Sequence, residues 1–185
     1  MDEVESLTNY PELATGRILE NSLYLAALVL WAVHFVALGR SARDNATGKP
    51  SLAPVVGVVG LSVMAAGALI HVTTAEFSNR YVDAGSAAEQ ADIVLAWDTT
   101  QILFNALLVT GAAIVPVAMV ALGWSLMRTQ VLGRVSGVAA LSLGVVASIG
   151  GAAGVVAGPD SPGVPIAVLT MVIFHALVGG RIVRS

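Results

Sequence analysis

Two histidines within apolar stretches of the chain, His34 and His175, have the side chains with the most specific chemistry. Neutral imidazoles on two helices of a membrane bundle commonly hold the iron of a b-type haem. One haem b with both as axial ligands would make the protein an electron-transfer subunit. Counted at about 1.5 Å per residue from Ile18 and from Pro165, however, the two histidines are predicted to differ by roughly 9 Å in depth. The alternative is a histidine that is hydrogen-bonded within the bundle.

A second group of polar residues follows one face of a predicted helix. Asp98, Gln101 and Asn105 are spaced i, i+3 and i+7, which places them on the same side, running inward from one membrane surface. His71 and Glu76 are expected at that outer level, so the cluster could relay protons or hold a cation. This predicts an ion- or proton-coupled transporter. The alternative is a set of interhelical hydrogen bonds, each worth only about 0.6 to 2 kcal/mol.

A third pattern concerns packing. Small residues recur at heptad positions of the fourth predicted helix, at Gly137, Ala140, Gly144, Ala147, Gly151 and Gly154. Such a seam lets another helix backbone approach closely in lipid. It fits contact with a helix of the same chain, and it also fits a homo-oligomer or other membrane subunits as partners.

The elements that position these residues are five uncharged runs, each able to supply the roughly 20 residues that a bilayer core requires. We predict an all-α, integral membrane five-helix bundle forming a single transmembrane domain over residues 1–185. Ser86 and Glu89 match a capping box, so the third helix is expected to start there and to enter the membrane near residue 99. The predicted helices span residues 18–39, 52–73, 86–123, 135–157 and 164–183.

Basic residues between the runs predict the orientation. An N-terminus outside and a C-terminus in the cytoplasm leave only Arg17 and Arg80 outside. The basic residues on the inner side are then Arg40, Arg43, Lys49, Arg128, Arg134, Arg181 and Arg184. We therefore expect a multi-pass protein of the cell membrane that contacts lipid.

Composition narrows the function. The chain is 56% hydrophobic and 11% charged, against about 25% charged in soluble domains. It has no cysteine, which excludes disulfides, thiolate metal sites and iron–sulfur clusters. No basic cluster of the size that binds nucleic acid is present, and the zinc-protease, nucleophile-elbow and phosphate-loop motifs are missing. Familiar enzyme chemistry is therefore unsupported, and the metal content stays unassigned. A chain rich in alanine, glycine and valine with one lysine suggests a GC-rich prokaryote.

One stretch carries a family resemblance. Residues 123–128, Gly-Trp-Ser-Leu-Met-Arg, followed by the glycine-rich helix from Leu132, resemble small multi-pass prokaryotic membrane proteins of unknown function. That likeness implies no activity and no functional residues. Five helices with the N-terminus outside are also similar to cytochrome b anchor subunits, whose two-haem kind needs four axial histidines where this chain has three. We expect a non-catalytic accessory, scaffold or small-molecule-binding membrane protein, with the transporter and the single-haem subunit as alternatives.

Overall fold

A computed structural model describes residues 3–44, 51–128 and 133–182. Within these ranges the protein is all-α, as predicted. Its six helices are α1 (Glu3–Asp44), α2 (Ala53–Val72), α3 (Thr74–Asp83), α4 (Ala87–Leu126), α5 (Gly133–Ala157) and α6 (Gly163–Ile182). Lys49 and Arg184, which the orientation prediction uses, lie outside the described residues.

Five stretches are long and apolar enough to cross a membrane. They are Thr15–Ala42, Ala53–Asp83, Ala87–Leu126, Arg134–Ala157 and Gly163–Gly180. Each has a mean hydropathy of 1.9 to 2.2 over its most apolar window. By length and composition, the helices therefore match the five predicted spans.

The helices pack around α4, which touches all the others. The long helices are in contact pairwise along the chain: α1 with α2, α2 with α4, α4 with α5, and α5 with α6. Helix α6 also contacts α1, but with far less backbone contact. Large apolar side chains with 0 to 1% exposure fill the interior, among them Leu28, Phe35, Met64, Met119 and Phe174. The α1–α6 contact is thus where the circle of helices closes with the least backbone contact.

The small-residue seam of α5 packs against α4 of the same chain. A Cβ added at Gly144 would stand 2.7 Å from the Val120 nitrogen, and one at Gly151 would stand 2.6 Å from the Ala112 oxygen. Ala140 and Ala147, which belong to the same seam, are completely buried. At the far end of the seam, Gly154 faces Val164 of α6. The seam therefore packs against other helices of the same chain.

The end of the bundle that contains the start of α1 and the whole of α3 has helical structure that the sequence pattern did not predict. The first helix begins at Glu3 rather than at residue 18, and α3 is a separate short helix. Leu7 is fully buried, and its carbonyl accepts a hydrogen bond of 2.6 Å from the Ser78 hydroxyl of α3. The start of α1 therefore packs against α3, although the residues before Thr15 lie outside the candidate spans.

The helix ends agree with their local sequence signals. Ser86 caps α4 by accepting a hydrogen bond of 3.2 Å from the Glu89 backbone, and the Glu89 carboxylate accepts one of 3.0 Å from Gly85. This confirms the predicted start of the long helix. Between α5 and α6, Gly158 adopts a positive φ of 91°, a conformation that favours glycine and allows the tight turn.

Candidate functional site: the His34–His175 pair

His34 of α1 and His175 of α6 are in direct contact across the closing edge of the bundle. Their Nδ1 atoms are 2.7 Å apart, which is a hydrogen-bond distance. One Nδ1 must carry a proton and donate it, while the other must be bare and accept. In the neutral pair, the accepting imidazole therefore carries its own proton on Nε2.

Aromatic side chains surround this pair. The indole of Trp31 stacks on the His175 imidazole, with ring centres 4.8 Å apart and planes within 6° of parallel. The rings of Phe35 and Phe174 meet His175 edge-on at 5.3 Å and 4.9 Å. His175 is only 7% exposed. The rings described as packed on His175 are therefore those of His34 and of three uncharged aromatic side chains.

The contact overturns the predicted depth difference of roughly 9 Å. That prediction counted from Ile18 and Pro165 as if both marked the outer surface, but α1 extends outward to Glu3, so Ile18 marks no end of its helix. Counting from the arginines near the other ends of the two helices gives similar depths instead. His34 precedes Arg40 by six residues and His175 precedes Arg181 by six, with a glycine before each arginine. Both histidines thus stand about 9 Å along the helix from an arginine. This shared spacing in the first and last helices is the sequence signal that could have paired them.

The geometry does not fit a haem held between the two imidazoles. A metal bound by two opposed imidazoles needs nitrogens roughly 4 Å apart, twice a metal–nitrogen bond of about 2.0 Å. The two Nδ1 atoms are 2.7 Å apart, and Nδ1 is the ring nitrogen nearer the backbone. A metal ion therefore cannot lie between the two Nδ1 atoms in this arrangement. Over the described ranges, no three histidine or acidic side chains gather to hold a metal ion either.

The second nitrogen of each imidazole is the unusual feature of the pair. Nε2 of His34 and Nε2 of His175 are both buried, and neither has a hydrogen-bond partner in the protein. A buried polar atom without a partner costs about 1 to 3 kcal/mol, so such atoms are rare without a functional or solvent-related reason. The site therefore has one satisfied hydrogen bond at its centre and two unsatisfied nitrogens at its edges.

The predicted outer cluster is only partly assembled. His71 packs its ring 4.8 Å from that of Phe104 and lies beside Gln101, whose amide donates a hydrogen bond of 3.4 Å to the Thr74 hydroxyl. His71 Nδ1 is buried without a partner. Glu76 is exposed on α3 and is not part of this group.

The two remaining polar residues of the predicted stripe lie on the same helix as Gln101, α4. Asp98 lines a groove of about 450 Å³ together with Tyr81 and Gln90. Asn105 is half-buried further along α4.

Four large apolar side chains of α2 and α4 are almost completely buried in the bundle. Leu61, Met64, Val115 and Met119 have 0 to 1% exposure. They belong to the same apolar core as Phe35 and Phe174, whose rings contact His175.

No family model, no curated protein and no solved structure matches this chain. The chain's most distinctive feature is a buried, hydrogen-bonded imidazole pair between α1 and α6.

Proposed function

We propose that the protein is a non-catalytic, multi-pass accessory protein of the cell membrane, with its N-terminus outside, and that it responds to protons through the His34–His175 pair. The observation that supports this proposal is the 2.7 Å contact between the two Nδ1 atoms. Ionisable residues within membrane spans are costly and generally have a functional role. Here they are two histidines, whose charge changes near neutral pH in water.

The pair can accept protons in two steps with opposite effects. A first added proton gives an imidazolium–imidazole pair, whose shared hydrogen bond is charge-assisted and stronger than the neutral one. Stacking on Trp31 also favours a cation at His175, because the face of an indole attracts positive charge. A second proton removes the accepting lone pair and sets two like charges against each other. The two titrations are therefore coupled and belong to the pair.

These protonation steps act on the contact between α1 and α6, because the histidine pair lies there. Backbone contact between α1 and α6 is small, so side chains carry most of the closure between the first and last helices. Breaking the imidazole hydrogen bond therefore acts on a contact between helices that has little backbone contact to support it. We infer that the singly protonated pair holds α1 against α6 and that the doubly protonated pair releases it.

The orientation can be tested because the chain has no cysteine. Single cysteines replace Asn79 on α3 and Arg134 on α5, both of which are exposed. A membrane-impermeant maleimide should label N79C in intact cells, and it should label R134C only after the membrane is permeabilised. Labelling of R134C alone in intact cells would refute the proposed orientation.

The proton response can be read from Trp31. Replacing Trp97 and Trp124 with phenylalanine leaves Trp31 as the only indole, in contact with His175. Protonation of the pair should quench its fluorescence when the protein is acidified in lipid nanodiscs. His175→Phe should abolish the acid quench, while His71→Phe, the matched control at the outer level, should retain it. An acid quench that survives His175→Phe would refute the proposed role of the pair.

A second candidate function, an ion- or proton-coupled transporter, is favoured by the groove that contains Asp98 with Tyr81 and Gln90. A carboxylate in an outer groove suits the capture of a cation. Asp98→Asn should then abolish coupled flux in proteoliposomes. Full flux in that variant would exclude this candidate.

A further inference from the structure

His34 Nε2 differs from His175 Nε2 in what lies beside it. A Cβ added at Gly179 of α6 would stand 3.6 Å from His34 Cε1 and 3.8 Å from His34 Nε2, so this edge of the imidazole faces a glycine. His175, by contrast, has Trp31 on its face and two phenylalanine rings at its edges. The His34 edge is therefore bordered by a residue that has no side chain to cover it.

We propose that the space beside Gly179 is the route by which a proton reaches His34 Nε2, and through it the pair. The inference rests on the proposed function, since it names the entrance to the same site. Gly179 precedes Arg181 by two residues, so the entrance lies toward the end of the bundle that carries Arg40 and Arg181. The protons would come from water on that side of the membrane, which the proposed orientation makes the cytoplasmic side.

The transfer balances within the two imidazoles. In the receptive tautomer, His34 donates its Nδ1 proton to His175 and has a bare Nε2. A proton that arrives at His34 Nε2 makes this ring an imidazolium, and the Nδ1 proton then passes over the 2.7 Å contact to His175 Nδ1. The positive charge now resides on His175, where Trp31 stacks against it. No bond other than N–H forms or breaks, and the reverse sequence returns the proton.

Few other charges can interfere with this path. The hydrogen bond described for His34 joins it to His175, and the other rings packed on His175 are the uncharged side chains of Trp31, Phe35 and Phe174. Arg40 and Arg181 lie six residues further along their helices. Access of the proton, rather than a neighbouring acid or base, should therefore limit the rate at which the pair is protonated.

The adjacent glycine provides a matched control. A Cβ at Gly180 would meet nothing within 4 Å, whereas one at Gly179 would cover the His34 edge. Gly179→Val and Gly180→Val thus add the same side chain at neighbouring positions, and only the first obstructs His34 Nε2. Gly179→Ala is a milder obstruction, because its methyl group would sit at ordinary contact distance and leave the packing intact.

The experiment is a rapid pH jump with the variant that has Trp31 as its only indole, in vesicles of one orientation, followed by fluorescence. In the parent we expect a fast quench when acid is applied to the Arg40 side. Gly179→Val should slow this quench by about tenfold or more, with Gly179→Ala in between and Gly180→Val unchanged. Equal rates in Gly179→Val and Gly180→Val, with the quench present, would overturn the route and leave the proposed function standing. Absence of any acid quench in the parent would overturn the proposed function itself.

Discussion

The α4–α5 seam makes a quantitative prediction about stability, which Gly144→Ala tests. The added methyl carbon would lie 2.7 Å from the Val120 nitrogen and 3.1 Å from the Met119 carbonyl carbon. Both are backbone atoms, so no side-chain rotation can relieve the overlap. Gly137 and Gly151 hold the same two helices together on either side, since their added Cβ atoms would also meet α4 or its C-terminal end within 2.6 Å. The helices must therefore separate locally.

Two opposing contributions determine how much Gly144→Ala changes the free energy of unfolding. Overpacking of a close-packed interior costs about 1 to 3 kcal/mol, while alanine in place of glycine within a helix gains up to about 1 kcal/mol. Gly180→Ala in α6 is the matched control, because its methyl group meets nothing within 4 Å and only the gain applies. The gain in helix propensity is common to both variants, so it cancels when their free energies of unfolding are compared. Gly144→Ala should therefore be about 1 to 3 kcal/mol less stable than Gly180→Ala.

The assay is reversible unfolding of both variants by sodium dodecyl sulfate in mixed micelles, followed by helix content. Because the seam is an internal contact, the mass of the assembly measured by light scattering should be the same for both variants. A Gly144→Ala protein as stable as Gly180→Ala would refute the packing argument. Loss of an oligomer in Gly144→Ala, with its unfolding unchanged, would place the seam between subunits instead.

Three further predictions concern single contacts. Ser86→Ala should destabilise the start of α4 by about 1 kcal/mol, and Ser86→Gly should destabilise it by only a few tenths of that. Hydrogen exchange in the first turn of α4 measures both effects, and equal exchange in the two variants would contradict the capping role. Ser78→Ala removes the hydrogen bond to the Leu7 carbonyl, so exchange should increase around Leu7 while α5 keeps its protection, and an unchanged Leu7 region would contradict the anchoring. Purified protein from haem-supplied cells should show no visible absorption bands when oxidised or reduced, and a Soret band lost in His34→Ala would contradict the 2.7 Å geometry.

Much of the fold could be predicted from the sequence because its signals are local. Uninterrupted apolar runs identify helices of membrane-spanning length, and the Ser86–Glu89 spacing marks the start of α4. The outer helical segments could not be predicted in this way. Residues before Thr15 and those of α3 are polar, and what orders them is a contact between segments 71 residues apart, Ser78 with Leu7. No local pattern reports such a contact.

The candidate site was predictable only in part. His34 and His175 are recognisable as ionisable residues in apolar runs, and their equal spacing from Arg40 and Arg181 carries information on depth. Their direct contact could not be read from the chain. It depends on α1 and α6 being neighbours, which follows from how α2, α4 and α5 are arranged between them.

The sequence by itself determined the helical class, the five candidate spans, the capped start of α4 and the glycine turn after α5, since each follows from composition or from the conformational preferences of nearby residues. Only the tertiary structure showed that the α5 seam packs against α4 and that His34 meets His175. Those outcomes depend on which helix faces cover one another, and this is fixed by packing of the whole bundle rather than by any one segment.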